Sequence, residues 1–293
     1  MDKLAFELKN LASRNRDGSK TTQANRIKQL SLFARQLKQL GYRDLSATSL
    51  KTKHVQALVN HWQSDKSAET GELVSAGTIK NRLANIRWWA SKVNKANVVP
   101  RSNKDLGIAD RQRLPSYNKA FSLDGKDLSS MPSHLRYSLK LQESFGLRRE
   151  EAAKIVVTVA DQGDKLVLKS SWTKGGRARE IPVLNKDQRL LLDAIKSEFG
   201  NNSLIPSDYS YKRYLSLREY LLNVHDLKNT HGLRHQYAQV RYSEISGLTP
   251  PRLGGPRFRD LSPADRERDL RARYIVSEEL GHSRIDITRV YLG

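Results

Sequence analysis

The chain has 293 residues, enough to bury a sizeable core and more in keeping with two domains than with one. Its 38% hydrophobic content excludes a wholly disordered protein, and the absence of cysteine excludes disulfides, thiolate metal sites and a cysteine nucleophile. Lys and Arg outnumber Asp and Glu 52 to 31, and the net +21 points to a polyanionic partner.

The charge is spread evenly: residues 1–110 hold 20 basic and 9 acidic side chains, residues 111–293 hold 32 and 22. Both halves are therefore expected to face the polyanion. No signal peptide, lipidation motif or long apolar run marks a membrane surface as that partner, so nucleic acid is preferred. A cysteine-free chain also fits a reducing cytoplasm.

The first hundred residues read as four helices. Leu4, Leu8 and Leu11 form one stripe, Ile27, Leu30, Phe33, Leu37 and Leu40 a second, Val55, Leu58 and Trp62 a third, and Ile79, Leu83, Ile86 and Trp89 a fourth. Breaks at Asp17-Gly18-Ser19, Gly41-Tyr42 and Glu69-Thr70-Gly71 separate them. Lys80, Arg82 and Arg87 lie off the fourth stripe and are candidate DNA contacts, a solvated face being the ordinary alternative. From 101 to 122 the periodicity is lost and Arg101, Lys104, Arg111 and Arg113 accompany Gly107 and Pro115, which predicts a basic linker.

The domain expected over 123–293 opens with a helix around Leu135–Phe145. Three short runs, Lys154–Val159, Lys165–Lys169 and Arg179–Val183, predict three antiparallel strands, with Lys174-Gly175-Gly176 at a hairpin tip. Helical patterns return at Lys186–Phe199, Tyr211–Leu222 and Leu233–Ile245. A last helix is announced by Ser262-Pro263 and runs to a stop at Gly281, with Tyr274 on its buried face. The fold class expected is mainly α with a small antiparallel β-sheet, in two domains.

Chemistry-bearing residues fall in a fixed order: Gly146-Leu147-Arg148, Lys174, His231-Gly232-Leu233-Arg234-His235, Leu280-Gly281-His282 and Tyr291. Guanidinium groups suit a phosphodiester because they remain charged and bond two oxygens at once, which makes Arg148 and Arg234 candidate phosphate clamps. His231 stands one helical turn before Arg234 at a helix start, so both can face one anion. Lys174 on a turn can protonate a leaving oxygen, and Tyr291, nine positions after His282, can attack. Taken singly, a surface arginine, a solvated turn lysine and packed histidines are the ordinary readings. Metal is disfavoured, because no cysteine or His/Asp/Glu cluster at ligand spacing accompanies them.

This ordered set resembles the tyrosine recombinase (phage integrase) family over about residues 125–293, and the helical front half resembles the family's core-binding domain. The resemblance implies that Arg148 and Arg234 clamp the phosphate, that His231 and His282 assist with hydrogen bonds and proton movement, that Lys174 is the acid, and that Glu151 supports. Arg149 neighbours the clamp, but its place in the motif favours Arg148. The implied product is a 3′-phosphotyrosyl link with a free 5′-hydroxyl, formed without metal, ATP or other cofactor. Arg177 joins Lys80, Arg82, Arg87 and Arg101 as a candidate DNA contact.

The implied partners are double-stranded DNA with a specific site, further copies of the chain forming a tetramer at synapsis, and accessory DNA-bending proteins, with no membrane. The implied setting is a mobile element acting on the nucleoid in a bacterial cytoplasm. A type IB topoisomerase and a non-enzymatic DNA-binding regulator are the alternatives, and the retention of every motif residue argues against the second.

Two departures stand out. Arg234 and His282 lie 48 positions apart, with extra material around 246–266 that holds Pro250-Pro251 and Gly254-Gly255-Pro256. It is expected to be a contacting loop or a passive surface insertion. The sequence also ends two residues after Tyr291, where relatives often exchange a C-terminal helix, so either assembly differs or the sequence is shortened.

Overall fold

Four helices form from the four apolar stripes: α1 (Lys3–Arg14), α2 (Lys20–Gln39), α3 (Thr52–Ser64) and α4 (Ala76–Lys92). Ser19 and Ser75 start α2 and α4, each side chain accepting a hydrogen bond from the N–H three residues on, a donor the helix itself leaves unpaired. Leu30, Phe33, Leu37, Val55, Leu58, Trp62, Leu83, Ile86 and Trp89 pack with Leu4 and Leu8 into one core. Both large indoles are satisfied there. Trp62 Nε1 donates to Gln36 Oε1 at 2.9 Å and Trp89 Nε1 to the Ala47 carbonyl at 2.8 Å. Leu40, beyond the end of α2, is exposed rather than part of the stripe.

The computed structural model describes residues 2–64, 66, 71–110, 114–282 and 284–293. The chain divides into two units, 1–112 and 113–293. The stretch 101–122 gives Leu106 and Ile108 to the first core, while Phe121 packs within the second unit and its N–H donates to the Gly232 carbonyl. Arg111 and Arg113 of that stretch lie outside the described residues, as do Glu69 and Thr70 of the third break.

The second unit holds α5 (Ser133–Phe145), α6 (Arg149–Lys154), α7 (Val157–Ala160), β1 (Lys165–Leu168), β2 (Arg179–Pro182), α8 (Lys186–Phe199), α9 (Tyr211–Val224), α10 (Gly232–Ser246), α11 (Pro263–Glu279) and α12 (Arg289–Leu292). The strands pair antiparallel, Lys165 opposite Pro182 and Leu168 opposite Arg179. The protein is thus mainly α with a small antiparallel sheet.

Two expectations are corrected. Lys154–Val159 forms no strand: it holds the last residue of α6 and the start of α7. Ile155 is buried between the two helices and α7 turns Val157 and Ala160 inward at i, i+3, and a contiguous apolar run carries no period that separates strand from helix. Tyr274 is 61% exposed, because the inward face of α11 is built on Ala272, Val276 and the paired Asp269 and Arg273. The segment 246–266 is tied down by its arginines: Arg252 donates to the Pro115 carbonyl and Arg266 to those of Phe258 and Arg259. Among the described residues no helix is long and apolar enough to cross a membrane.

Candidate active site

Arg234 stands in the first turn of α10 and is 1% exposed. Its Nη1 donates to the Gly146 carbonyl and its Nη2 to the Leu280 carbonyl. Nη2 also lies 3.2 Å from His282 Nε2, and Nε lies 3.4 Å from the Tyr291 hydroxyl. One side chain therefore joins three segments that the sequence keeps up to 145 residues apart. Burial pushes its pKa down to about 10, with Tyr291 opposing that and Arg148 adding to it, so it remains a cation at neutral pH. Among the described residues it has no carboxylate partner.

Gly146 makes this approach possible. It ends α5 at φ +59°, and a Cβ there would sit 2.5 Å from Tyr237 Cδ1 and 2.9 Å from Leu280 Cδ2. The chain then turns into α6, which begins with Arg148 as its N-cap. Glu151, at the third helical position, reaches back and accepts from the Arg148 N–H at 2.6 Å and from Arg148 Nη1 at 2.8 Å. Glu151 is fully buried, which alone would raise its pKa. Bonding to Arg179 and the charges of Arg179 and Arg148 outweigh that and hold it at about 2.

Tyr291 is 6% exposed and surrounded by rings: His235 at 4.4 Å between centroids, His282 at 5.3 Å and His231 at 6.4 Å. Its carbonyl accepts from Gln239 Nε2 at 2.9 Å, which ties the tail to α10. Burial first, then the nearby cations, lowers all three histidines. His282 falls to about 3 and His235 to about 4, and His231, at the exposed mouth, is lowered as well. All three are neutral at pH 7. A guanidinium only donates, so His282 Nε2 accepts from Arg234 and its proton sits on Nδ1. That Nδ1 is buried and has no partner among the described residues.

The structure thus brings together Arg148, Glu151, His231, Arg234, His282 and Tyr291. Lys174 stands apart on the exposed loop between β1 and β2, as does Arg177, and Lys174 makes no hydrogen bond or ion pair among the described residues. Of the candidate DNA contacts in the first unit, Lys80 pairs with Asp110 at 3.4 Å and Arg82 lies over the Trp62 ring. Arg87 donates to the Pro100 carbonyl and to Asn103, while Arg101 is exposed. Sequence reasoning missed Arg179 and gave no role to His235. The position of His235 one residue after Arg234 was its only signal.

A family model described as phage integrase, N-terminal, matches residues 1–96, and one described as integrase matches residues 117–240. The chain belongs to the tyrosine recombinase (phage integrase) family. A comparison of this recombinase with curated protein sequences found no match. Among solved structures it is similar to a lambda integrase dimer bound to a COC′ core site, at TM-score 0.63 and 16% identity over 99% of this chain and 95% of that one. The XerH site-specific recombinase bound to palindromic difH substrate gives 0.60 and 18%, over 99% and 81%. The Tn1549 transposon integrase in complex with transposon right end DNA gives 0.59 and 12%, over 100% and 95%. At such identities the likeness is one of fold.

Proposed function

We propose that this recombinase cleaves and rejoins DNA at a specific site through a 3′-phosphotyrosyl link on Tyr291. The observation that carries the reading is a buried guanidinium with no carboxylate partner among the described residues, 3.4 Å from a buried phenol. An uncompensated buried cation is costly, and a DNA phosphate supplies the missing negative charge. Arg148 offers a second clamp: its Nη1 is bonded to Glu151, while its Nη2 makes no hydrogen bond among the described residues.

In the reaction the Tyr291 oxygen attacks phosphorus and the bond to the 5′ oxygen breaks. The phenol proton passes to neutral His231, and Lys174 gives a proton to the departing oxygen. His282 Nδ1–H is a donor for a non-bridging oxygen, whose charge grows in the transition state. A 5′-hydroxyl from a second DNA then attacks the phosphotyrosine and releases Tyr291. Each step exchanges one phosphoester for another, so neither ATP nor metal is needed.

The partner is double-stranded DNA bearing a defined site, bound by several copies of the chain and by four at synapsis. Lambda integrase as a dimer on its core site supports this, and the transposon integrase supports a mobile-element setting. Accessory DNA-bending proteins, and a place on the bacterial nucleoid, complete the reading. The match of residues 1–96 to the phage integrase N-terminal model favours recombination over simple relaxation of supercoils.

Covalent capture on nicked duplexes tests the reaction, with random genomic fragments first to enrich the site. Wild type is expected to become linked to DNA, whereas Tyr291→Phe binds equally and captures nothing. Equal capture by both removes the proposed nucleophile, and relaxation of any supercoiled plasmid without sequence preference favours a topoisomerase.

A further inference from the structure

Arg179, outside the motif residues, is bonded through all three of its guanidinium nitrogens. It opens β2, five residues after Lys174, and is buried. Its Nη1 donates to Glu151 Oε1 at 2.9 Å and its Nη2 to Glu151 Oε2 at 2.7 Å, a two-pronged pair with a fully buried carboxylate. Its Nε donates to the Glu279 carbonyl at 2.8 Å, at the end of α11. Gly281, at φ +64°, packs directly on its stem: a Cβ there would lie 2.8 Å from Arg179 Cδ.

Those contacts link three pieces of the site. Through Glu151, Arg179 reaches Arg148. Through Glu279 and Gly281 it reaches the turn that places His282 and offers the Leu280 carbonyl to Arg234. Through its own strand it anchors the loop carrying Lys174. The charges matter equally. Glu151 beside Arg148 alone would be a neutral pair that competes with a phosphate for the guanidinium; with Arg179 sharing the carboxylate, the trio keeps a net positive charge and Arg148 stays available.

We propose that Arg179 is a positioning residue of the recombination site, which holds Glu151 ionised and shared so that Arg148 and the His282 turn are presented to one phosphate. This rests on the function proposed above. The role differs from packing because it acts through the protonation of Glu151. The charged and titratable groups around that carboxylate are Arg148 at the start of α6, Arg179 from β2 and, after α11, the neutral His282. Without Arg179 the buried carboxylate loses its largest stabilising partner and its pKa rises toward or above the usual carboxylate range.

The test compares wild type, Arg179→Met, Arg179→Lys, Glu151→Gln and the double variant Glu151→Gln/Arg179→Met. Duplex binding and the rate of covalent capture at saturating DNA are measured across pH 5–8. Arg179→Met is expected to bind within about threefold of wild type, which also reports that it is folded, yet to capture about 100-fold more slowly. Its rate should fall further below pH 7 as Glu151 protonates, a step absent in wild type and in the double variant. Arg179→Lys, with one donor head and no fork, should recover only part of the rate. The double variant should be no slower than the worse single.

Wild-type-like capture by Arg179→Met, or multiplicative losses in the double variant with no new pH step, would overturn the proposal. If wild type itself captures no DNA, the recombinase reading fails first and this inference falls with it. The wild-type reaction keeps the two failures apart.

Discussion

Arg234 Nε and the Tyr291 hydroxyl lie 3.4 Å apart within a single chain. Under the proposed reaction this arrangement makes the clamp and the nucleophile of one protomer serve the same phosphate. Mixing Tyr291→Phe with Arg234→Ala, each inactive alone, should therefore give no covalent product on a half-site duplex. Recovery of capture in the mixture would show that the tyrosine is donated between protomers.

Removal of the Arg234 side chain should cost stability as well as chemistry. Its guanidinium occupies the Gly146 and Leu280 carbonyls, and Arg234→Ala leaves both buried acceptors without that donor. A loss of about 2–4 kcal/mol is expected by urea unfolding. Arg234→Lys should recover part of this stability but little capture, since one ammonium cannot span two carbonyls and a phosphate. An Arg234→Ala protein as stable as wild type would show that the carbonyls find other donors at no cost.

Gly146→Ala probes the same junction from the other side. The added methyl meets Tyr237 and Leu280 inside 3 Å, and its φ of +59° strains any side chain. A loss of about 1–3 kcal/mol is expected, with slower capture because Arg148 follows two residues later. Unchanged unfolding and capture would mean that the packing around Leu280 yields freely.

How much of this was legible in the sequence depends on the type of signal. That Arg148, His231, Arg234, His282 and Tyr291 belong together as one candidate set could be read because charged and nucleophilic groups in a fixed order are rare by chance. Arg179 could not: its partner Glu151 lies 28 positions upstream, and a four-residue strand reveals only that alternate residues face inward. The helices of the first unit followed their stripes closely, since two Trp residues and regularly spaced Leu leave one helical face to bury. Lys154–Val159 failed because a short contiguous run of β-branched residues looks alike in a strand and in short helices, and only Ile155 and Val157 of it are buried. Tyr274 failed for another reason, an aromatic at helical spacing on a helix whose inward face mixes Ala272 and Val276 with the paired Asp269 and Arg273.

Stability should fall on mild acidification. His235 and His282 are held neutral, at about 4 and about 3 against 6.5 for the free side chain, and His54, His134 and His231 are lowered too. In the unfolded chain these rings take protons near pH 6.5, so the folded state is favoured most above that pH and loses ground as pH drops toward 4. Between pH 7.5 and 5 the decline should exceed about 1 kcal/mol, since each tenfold difference in proton affinity between the folded and unfolded ring is worth about 1.4 kcal/mol. Glu151, held at about 2, and Asp161, held well below the usual range by Arg189 and Lys196, add their own loss at lower pH, which leaves this window to the histidines. A flat urea midpoint from pH 7.5 to 5 would contradict neutral buried rings.

DNA binding should separate the basic residues by what they already hold. Arg101 and Arg177 are exposed, whereas Arg87 spends its donors on the Pro100 carbonyl and Asn103 and fixes the chain leaving α4. If either exposed arginine meets a phosphate, its change to Ala should weaken binding to all sequences alike and reduce the log–log salt slope by about 0.9. Arg87→Ala should instead lower stability by about 1 kcal/mol or more and leave the slope nearly unchanged. Titration of a labelled duplex from 50 to 300 mM salt, paired with urea unfolding of each variant, distinguishes the two behaviours. A full unit of slope lost in Arg87→Ala without loss of stability would move that arginine from the scaffold to the DNA surface.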